Sequence, residues 1–208
     1  MPEDSYKTIK SLSEGYYTEK RSRFLSFAIP VRTVEEVKEY VQEYRKKYYD
    51  SRHVCWAYMI GADRLTFRSN DDGEPSSTAG KPILGQINSN ELTDILIIVI
   101  RYFGGIELGT SGLIVAYRTA AAEAIAAAKI EERTVDEDMT VVFEYPYLNG
   151  IMRIVKEEQP EVISQKFEMT CEMTIRIRKN LSERLKNRLL KVETAYLKEP
   201  PEEVNSSG

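Results

Sequence analysis

Asn70–Tyr117 reads NDDGEPSSTAGKPILGQINSNELTDILIIVIRYFGGIELGTSGLIVAY. Its centre, ILIIVI at Ile95–Ile100, is a continuous apolar run of strand length, which suits a central strand buried on both faces. On either side lies a loop rich in Gly, Asp, Ser and Thr. Each loop runs into a predicted helix start, where free backbone N–H groups can hold an anion or a partner. The first helix is predicted over Lys81–Ile87, with Pro82 suited to its first turn. The second, Gly112–Lys129, is alanine-rich and helical by propensity, and its small residues allow close packing on a sheet. Loops this polar and glycine-dense are costly to order, so they are candidate functional sites.

Working outward, RFLSFAIPV at Arg23–Val31 reads as a strand. Thr33 is the expected N-cap of a helix over VEEVKEYVQEYRKKYY, with Val34, Val37, Val41 and Tyr44 at helical spacing, acids early and bases late. HVCWAYMI at His53–Ile60 alternates as a strand, with His53, Cys55, Ala57 and Met59 on one face and Val54, Trp56, Tyr58 and Ile60 on the other. Leu65–Arg68 can pair with it through a turn at Gly61–Arg64. Glu131–Asp138 reads as a charged break and the domain boundary. Beyond it come a strand at Thr140–Tyr145, a helix at Pro146–Glu158, strands near Val162–Phe167 and Glu172–Arg178, and a helix at Leu181–Val192. A short closing strand is expected at Thr194–Leu197. This order is a ferredoxin-like pattern. The tail from Glu199 to Gly208 has little to bury and is expected to be disordered.

The chain has 208 residues, 42% hydrophobic and 30% charged, with net charge −4. It is no polycation, and both parts on either side of Thr134 are slightly acidic. Nucleic-acid binding would therefore need a local patch. There is one histidine, His53, so no zinc-type ligand spacing exists. Cys55 and Cys171 lie far apart and read as reduced thiols of a cytoplasmic protein. No signal peptide and no membrane-spanning run is expected.

The acidic loop leaves three readings open. Asp71, Asp72 and Glu74 can bind a divalent cation, serve acid–base chemistry, or act structurally by capping backbone and pairing with Arg68 or Arg101. Ser76 to Lys81, which includes Thr78, lacks phosphate-loop spacing because Pro82 follows Lys81, and helix capping by Ser77 or Thr78 is the simpler reading. Gly104, Gly105, Gly109, Ser111 and Gly112 form the second loop, whose N–H groups can receive phosphate or carboxylate. Arg101 precedes it and can supply a bidentate fork, whereas Glu107 opposes an anion there. Arg101-Tyr102-Phe103 either stacks on bases or packs as a strand end. His53 and Cys55 lack a third positioned group and read as packing, and Arg45, Lys46 and Lys47 as a solvated helix end. No catalytic set and no cofactor is expected.

At these residues the chain resembles the IMPACT family, the YigZ-type proteins, in its two-domain bacterial form. The resemblance rests on Tyr6–Ile9, Glu19–Phe24, His53–Tyr58, Asp71–Ser76, Thr78–Leu84, Arg101–Gly105 and Leu108-Gly109. It implies an α+β chain. Residues 1–134 would form a domain like the second domain of ribosomal protein S5. Residues 135–198 would form a ferredoxin-like module similar to a C-terminal domain of elongation factor G. Eukaryotic members restrain a kinase of a translation initiation factor by binding its activator. The resemblance thus implies a non-catalytic binding protein, acting in translation through RNA, the ribosome or a protein partner. The alternative is an enzyme on a phosphorylated or acidic small molecule, with phosphate in the Gly104–Gly112 loop. Family members commonly carry Gly at Ser77, Ala-Gly at Thr110-Ser111, Lys at Glu107 and Arg at Val115. The last two departures remove positive charge beside the glycine loop and leave Lys81, Arg101 and Arg118 as its phosphate contacts.

Overall fold

The computed structural model describes residues 4–199. Apart from Glu199, the tail expected to be disordered lies outside the described residues. The chain divides into two compact units. One is Ser5–Arg133; the other comprises Asp4 and the described residues from Thr134 onward.

The first unit is built on a five-stranded antiparallel sheet. Its strands are β2 (Ser13–Glu19), β3 (Ser22–Pro30), β4 (His53–Ile60), β5 (Thr66–Asn70) and β6 (Ile95–Tyr102), in the order β2-β3-β6-β4-β5. β6 is central, and every residue from Ile95 to Arg101 is buried. Its alternating side chains feed two cores, as expected of a strand covered on both sides. Ile95, Ile97 and Val99 pack with Cys55, Ala57 and Met59 under α2 (Gly80–Ser89) and α3 (Gly109–Ala126). Leu96, Ile98 and Ile100 pack with Val54 and Tyr58 under α1 (Val34–Lys47). Burying each such aliphatic side chain stabilises by roughly 2 kcal/mol.

Local signals decide α1. Thr33 caps it by accepting from the Glu36 N–H at 3.2 Å, and Glu36 returns the bond to the Arg32 N–H at 2.6 Å. The α3 face is different. Ala116, Ala120, Ala121 and Ala124 are fully buried, so its backbone lies close to the sheet. Gly15 in β2 is the counterpart, because a Cβ there would sit 2.4 Å from the Ala124 backbone nitrogen.

The second unit carries a four-stranded antiparallel sheet made of β8 (Asp136–Glu144), β9 (Glu161–Lys166), β10 (Thr170–Arg178) and β11 (Tyr196–Lys198), in the order β11-β8-β10-β9. Helices α4 (Leu148–Glu158) and α5 (Lys179–Leu189) pack with its buried face through Ile151, Ile154, Leu185 and Leu189.

Several expectations need correction. Glu131–Asp138 holds the division between the two units, after Arg133, but it is strand and not an irregular break: β7 (Ile130–Thr134) pairs with β1 (Ser5–Ile9), and β8 begins at Asp136. Its charges are answered across the sheet, where Asp138 takes two bonds from Arg176 at 2.7 and 3.0 Å. Asp4 is buried and holds Arg178 at 2.7 and 2.8 Å. α3 starts at Gly109 rather than Gly112, so Gly109, Thr110, Ser111 and Gly112 form its first turn instead of a loop.

Candidate functional site

The two polar loops meet at one end of the five-stranded sheet, and the acids of the first, Asp71, Asp72 and Glu74, turn inward. Asp71 takes the backbone N–H groups of Ser77, Ala79 and Gly80 at 2.8, 3.1 and 2.8 Å. It therefore caps α2 from six to nine residues upstream, a role expected of Ser77 or Thr78; α2 has no cap from its own N-cap side chain. Asp72 adopts a left-handed backbone (φ 42°) and accepts from the Val54 N–H at 2.7 Å and from Arg45 at 2.9 Å. Asp and Asn enter that region more readily than most side chains. Of the three sequence readings of this loop, the structural one has contacts for each acid. Among the described residues no three His, Cys, Asp or Glu side chains are placed to hold a metal.

Glu74 is the centre of a buried cluster. Its Oε1 accepts from Arg101 Nη1 at 2.6 Å and from the Tyr117 hydroxyl at 2.6 Å. Both side chains of the ion pair are over nine-tenths buried. Arg101 is thus committed to Glu74, which corrects its expected role as a free phosphate fork. Its Nη2 lies 3.5 Å from Ser22 Oγ, and its Nε has no partner. Tyr117 also approaches Cys55, whose thiol donates to the Asp71 carbonyl at 3.1 Å. Burial pushes the Cys55 thiol and the Tyr117 hydroxyl far up, so neither ionises near neutrality. Cys55 is fully buried and packs in the core.

His53 Nδ1 lies 2.7 Å from the Asp72 carbonyl oxygen. A carbonyl can only accept, so Nδ1 carries a proton, and Nε2 is the ring nitrogen turned toward Glu74. That nitrogen is 3.6 Å from Glu74 Oε2.

Beside the cluster lies a cavity of about 350 Å³, lined by Arg52, His53, Glu74, Phe103, Gly109 and Thr110 among others. The start of α3 opens on it with no side-chain cap and no acid in its first turn. The structure therefore brings Glu74, Arg101 and Gly109 together. Tyr102 donates instead to Asp50 at 2.9 Å. Gly104 is set by packing, since a Cβ there would meet the Arg21 carbonyl carbon at 2.2 Å. Gly105 and Gly109 take positive φ, 85° and 72°. Thr78 is buried, whereas Ser76, Lys81, Ser111 and Arg118 are exposed and do not line the cavity.

Tyr117 is not among the residues expected from the sequence, and His53 is expected there only to pack. Tyr117 is the one large side chain with a polar tip on the buried alanine face of α3, and that oddity was the available signal.

The same stretch of chain carries the similarity to other proteins. Residues 20–125 match the family profile described as the Impact N-terminal domain. IMPACT family member YvyE of Bacillus subtilis is 37% identical over 155 residues, covering 74% of this chain and 71% of the relative. IMPACT family member YigZ of Escherichia coli is 34% identical over 151 residues, 72% of this chain and 74% of the relative. A crystal structure of a protein described as hypothetical is 28% identical with a TM-score of 0.70, and covers 96% of this chain and 99% of its own. The acid-and-glycine end built around Glu74 lies inside the matched residues, and the chain is a member of the IMPACT family.

Proposed function

We propose that this protein is a non-catalytic binding module linked to translation or its regulation, working through RNA, the ribosome or a protein partner. The observation that carries the reading is the Glu74 cluster: the groups with acid–base chemistry in the two loops hold the fold together through Arg101, Tyr117 and backbone N–H groups. Family membership supports the translation link, through the role the family has in eukaryotes. We further assign the first unit (residues 1–134) to the fold of the second domain of ribosomal protein S5. The second (135–198) we assign to the ferredoxin-like class. Its βαββαβ element order and its β11-β8-β10-β9 strand order support this assignment. A cytoplasmic setting is supported by two unpaired cysteines. Among the described residues, no helix is long and apolar enough to cross a membrane.

The test is a pull-down of tagged protein from lysate at low and high salt, with Lys81→Ala/Arg118→Ala alongside. Ribosomal subunits, RNA or an identified translation factor, released by salt, is the expected result. Enrichment of none of these at either salt overturns the reading.

A second reading is favoured by the cavity at the start of α3. A small acidic or phosphorylated molecule would sit against the Gly109 and Thr110 N–H groups beside His53. Nucleotide with Mg²⁺ would then raise the melting temperature. No shift with any common nucleotide removes this reading.

A further inference from the structure

We infer that a single-stranded nucleic acid binds the outer surface at the loop end of the five-stranded sheet, on a basic and aromatic patch outside the glycine loop. The inference rests on the binding reading above and names the ligand's chemistry and place. The chain is acidic overall, yet its cations gather here from three separated segments. Arg45, Lys46 and Lys47 are exposed at the end of α1. Arg52 is exposed just before β4. Lys20, Arg21 and Arg23 are exposed around the β2–β3 hairpin.

Contacts tie these segments into one surface. Arg52 lines both the cavity beside Phe103 and a second depression of about 180 Å³ with Arg45, Tyr48 and Tyr49. The Arg52 N–H donates to the Arg101 carbonyl at 2.9 Å, which sets it next to the end of β6. Arg23 lies 4.8 Å over the Tyr102 ring, and Gly104 packs on the backbone of Arg21. Acids on this surface are few and mostly answered: Asp72 pairs with Arg45, Asp50 accepts from Tyr102 and Glu19 accepts from Tyr17 at 3.2 Å, while Glu107 remains.

One observation selects a single-stranded nucleic acid from the polyanions, and another points to the cations themselves. First, exposed rings stand among the cations. Tyr49 is 85% exposed and Phe103 42% exposed, with the Arg52 guanidinium 5.8 Å from the Phe103 ring. Unpaired bases stack on such rings while phosphates meet the cations, whereas a duplex hides its base faces. Second, Lys20 and Arg21 both hold left-handed backbones, φ 46° and 64°. A two-residue hairpin turn of this kind favours Asn-Gly or Asp-Gly. Two long cations there carry a steric cost, which is explained if their charge is what the position requires.

The test is fluorescence anisotropy of full-length protein with labelled oligo-U and oligo-dT of about 12 nucleotides, and with a duplex, at about 50 and 200 mM salt. Single strands are expected to bind better than duplex, with affinity falling as salt rises. Lys46→Ala/Lys47→Ala/Arg52→Ala should flatten the log–log salt slope by about 2 and weaken binding at low salt at least tenfold. Tyr49→Ala should weaken it about fivefold or more with the slope unchanged. Lys156→Ala, in the second unit, should bind as wild type. A preference for oligo-U over oligo-dT assigns the ligand as RNA; equal binding leaves the site one for either backbone and still supports it. Duplex preference, or wild-type binding by both patch variants, overturns the inference. So does a wild-type protein that binds no oligonucleotide. If that protein still captures translation components from lysate, the surface falls and the broader reading stands.

Discussion

Replacing Glu74 by alanine tests the claim that the acid loop is structural. The substitution leaves the Arg101 guanidinium buried with its 2.6 Å partner gone, its Nε already unpartnered, and the Tyr117 hydroxyl without an acceptor. Breaking one side of a buried ion pair costs about 3–5 kcal/mol, because the remaining charge is uncompensated. The lost tyrosine bond falls inside that figure and is not added to it. With a urea slope of about 2 kcal/mol/M, the midpoint should fall by about 1.5–2.5 M. The assay is urea titration followed by fluorescence of Trp56, the single tryptophan, which sits in β4 and so reports the first unit. Trp56 avoids treating two units as one two-state transition. The double variant Glu74→Leu/Arg101→Met removes both charges and should be more stable than either single, since an apolar pair of similar volume often matches a buried ion pair. A loss under about 1 kcal/mol for Glu74→Ala, the size of an ordinary substitution, refutes the reasoning. So does a double variant no better than the singles.

Asp71→Ala removes the carboxylate that caps α2 through three N–H groups. It should cost about 1–2 kcal/mol in the same titration; a neutral result would mean water replaces the cap. Gly104→Ala forces a Cβ to 2.2 Å from the Arg21 backbone, so it should destabilise by at least about 2 kcal/mol or lower soluble yield. Cys55 and Cys171 are fully buried, and native protein should show no fast thiol toward a chromogenic disulfide at neutral pH, but two after denaturation. In the second unit, hydrogen bonds from Arg178 to Asp4, Ser182 to Glu137, Arg176 to Asp138 and Arg188 to Glu157 and Glu158 hold these carboxyls below their ordinary values of 3.8 and 4.5. Lowered folded values mean that the stabilisation is complete above the unfolded values and is lost as pH falls through the folded ones. Amide exchange protection in β8 and β10 should therefore hold at neutral pH and drop below about pH 4, and unchanged protection at pH 3 would count against those pairs.

The sequence by itself determined the elements whose signals are local. ILIIVI, a short continuous apolar run, suits a strand covered on both faces, and β6 is one. Thr33 and the spacing of Val37, Val41 and Tyr44 fixed α1, and the alternation in His53–Ile60 divided its side chains between the two cores. The family was legible for the same reason, in short runs of adjacent residues. β2 and β7 were not read as strands because their polar alternation has no apolar face of its own. Partners supplied by the fold hold them: β2 pairs with β3 and lies against α3, and β7 pairs with β1. The site was legible as a place but not as a mechanism. Glu74 and Arg101 are 27 positions apart, and Glu74 and Tyr117 are 43 apart. A charged side chain shows its residue type in sequence, but its role depends on what it meets and on whether water reaches it. Arg101 is drawn into the interior because Glu74 offsets the loss of its hydration, whereas Arg52 stays at the surface and remains available for a ligand. Only the tertiary structure decides that difference, since desolvation and pairing both follow from distance in space.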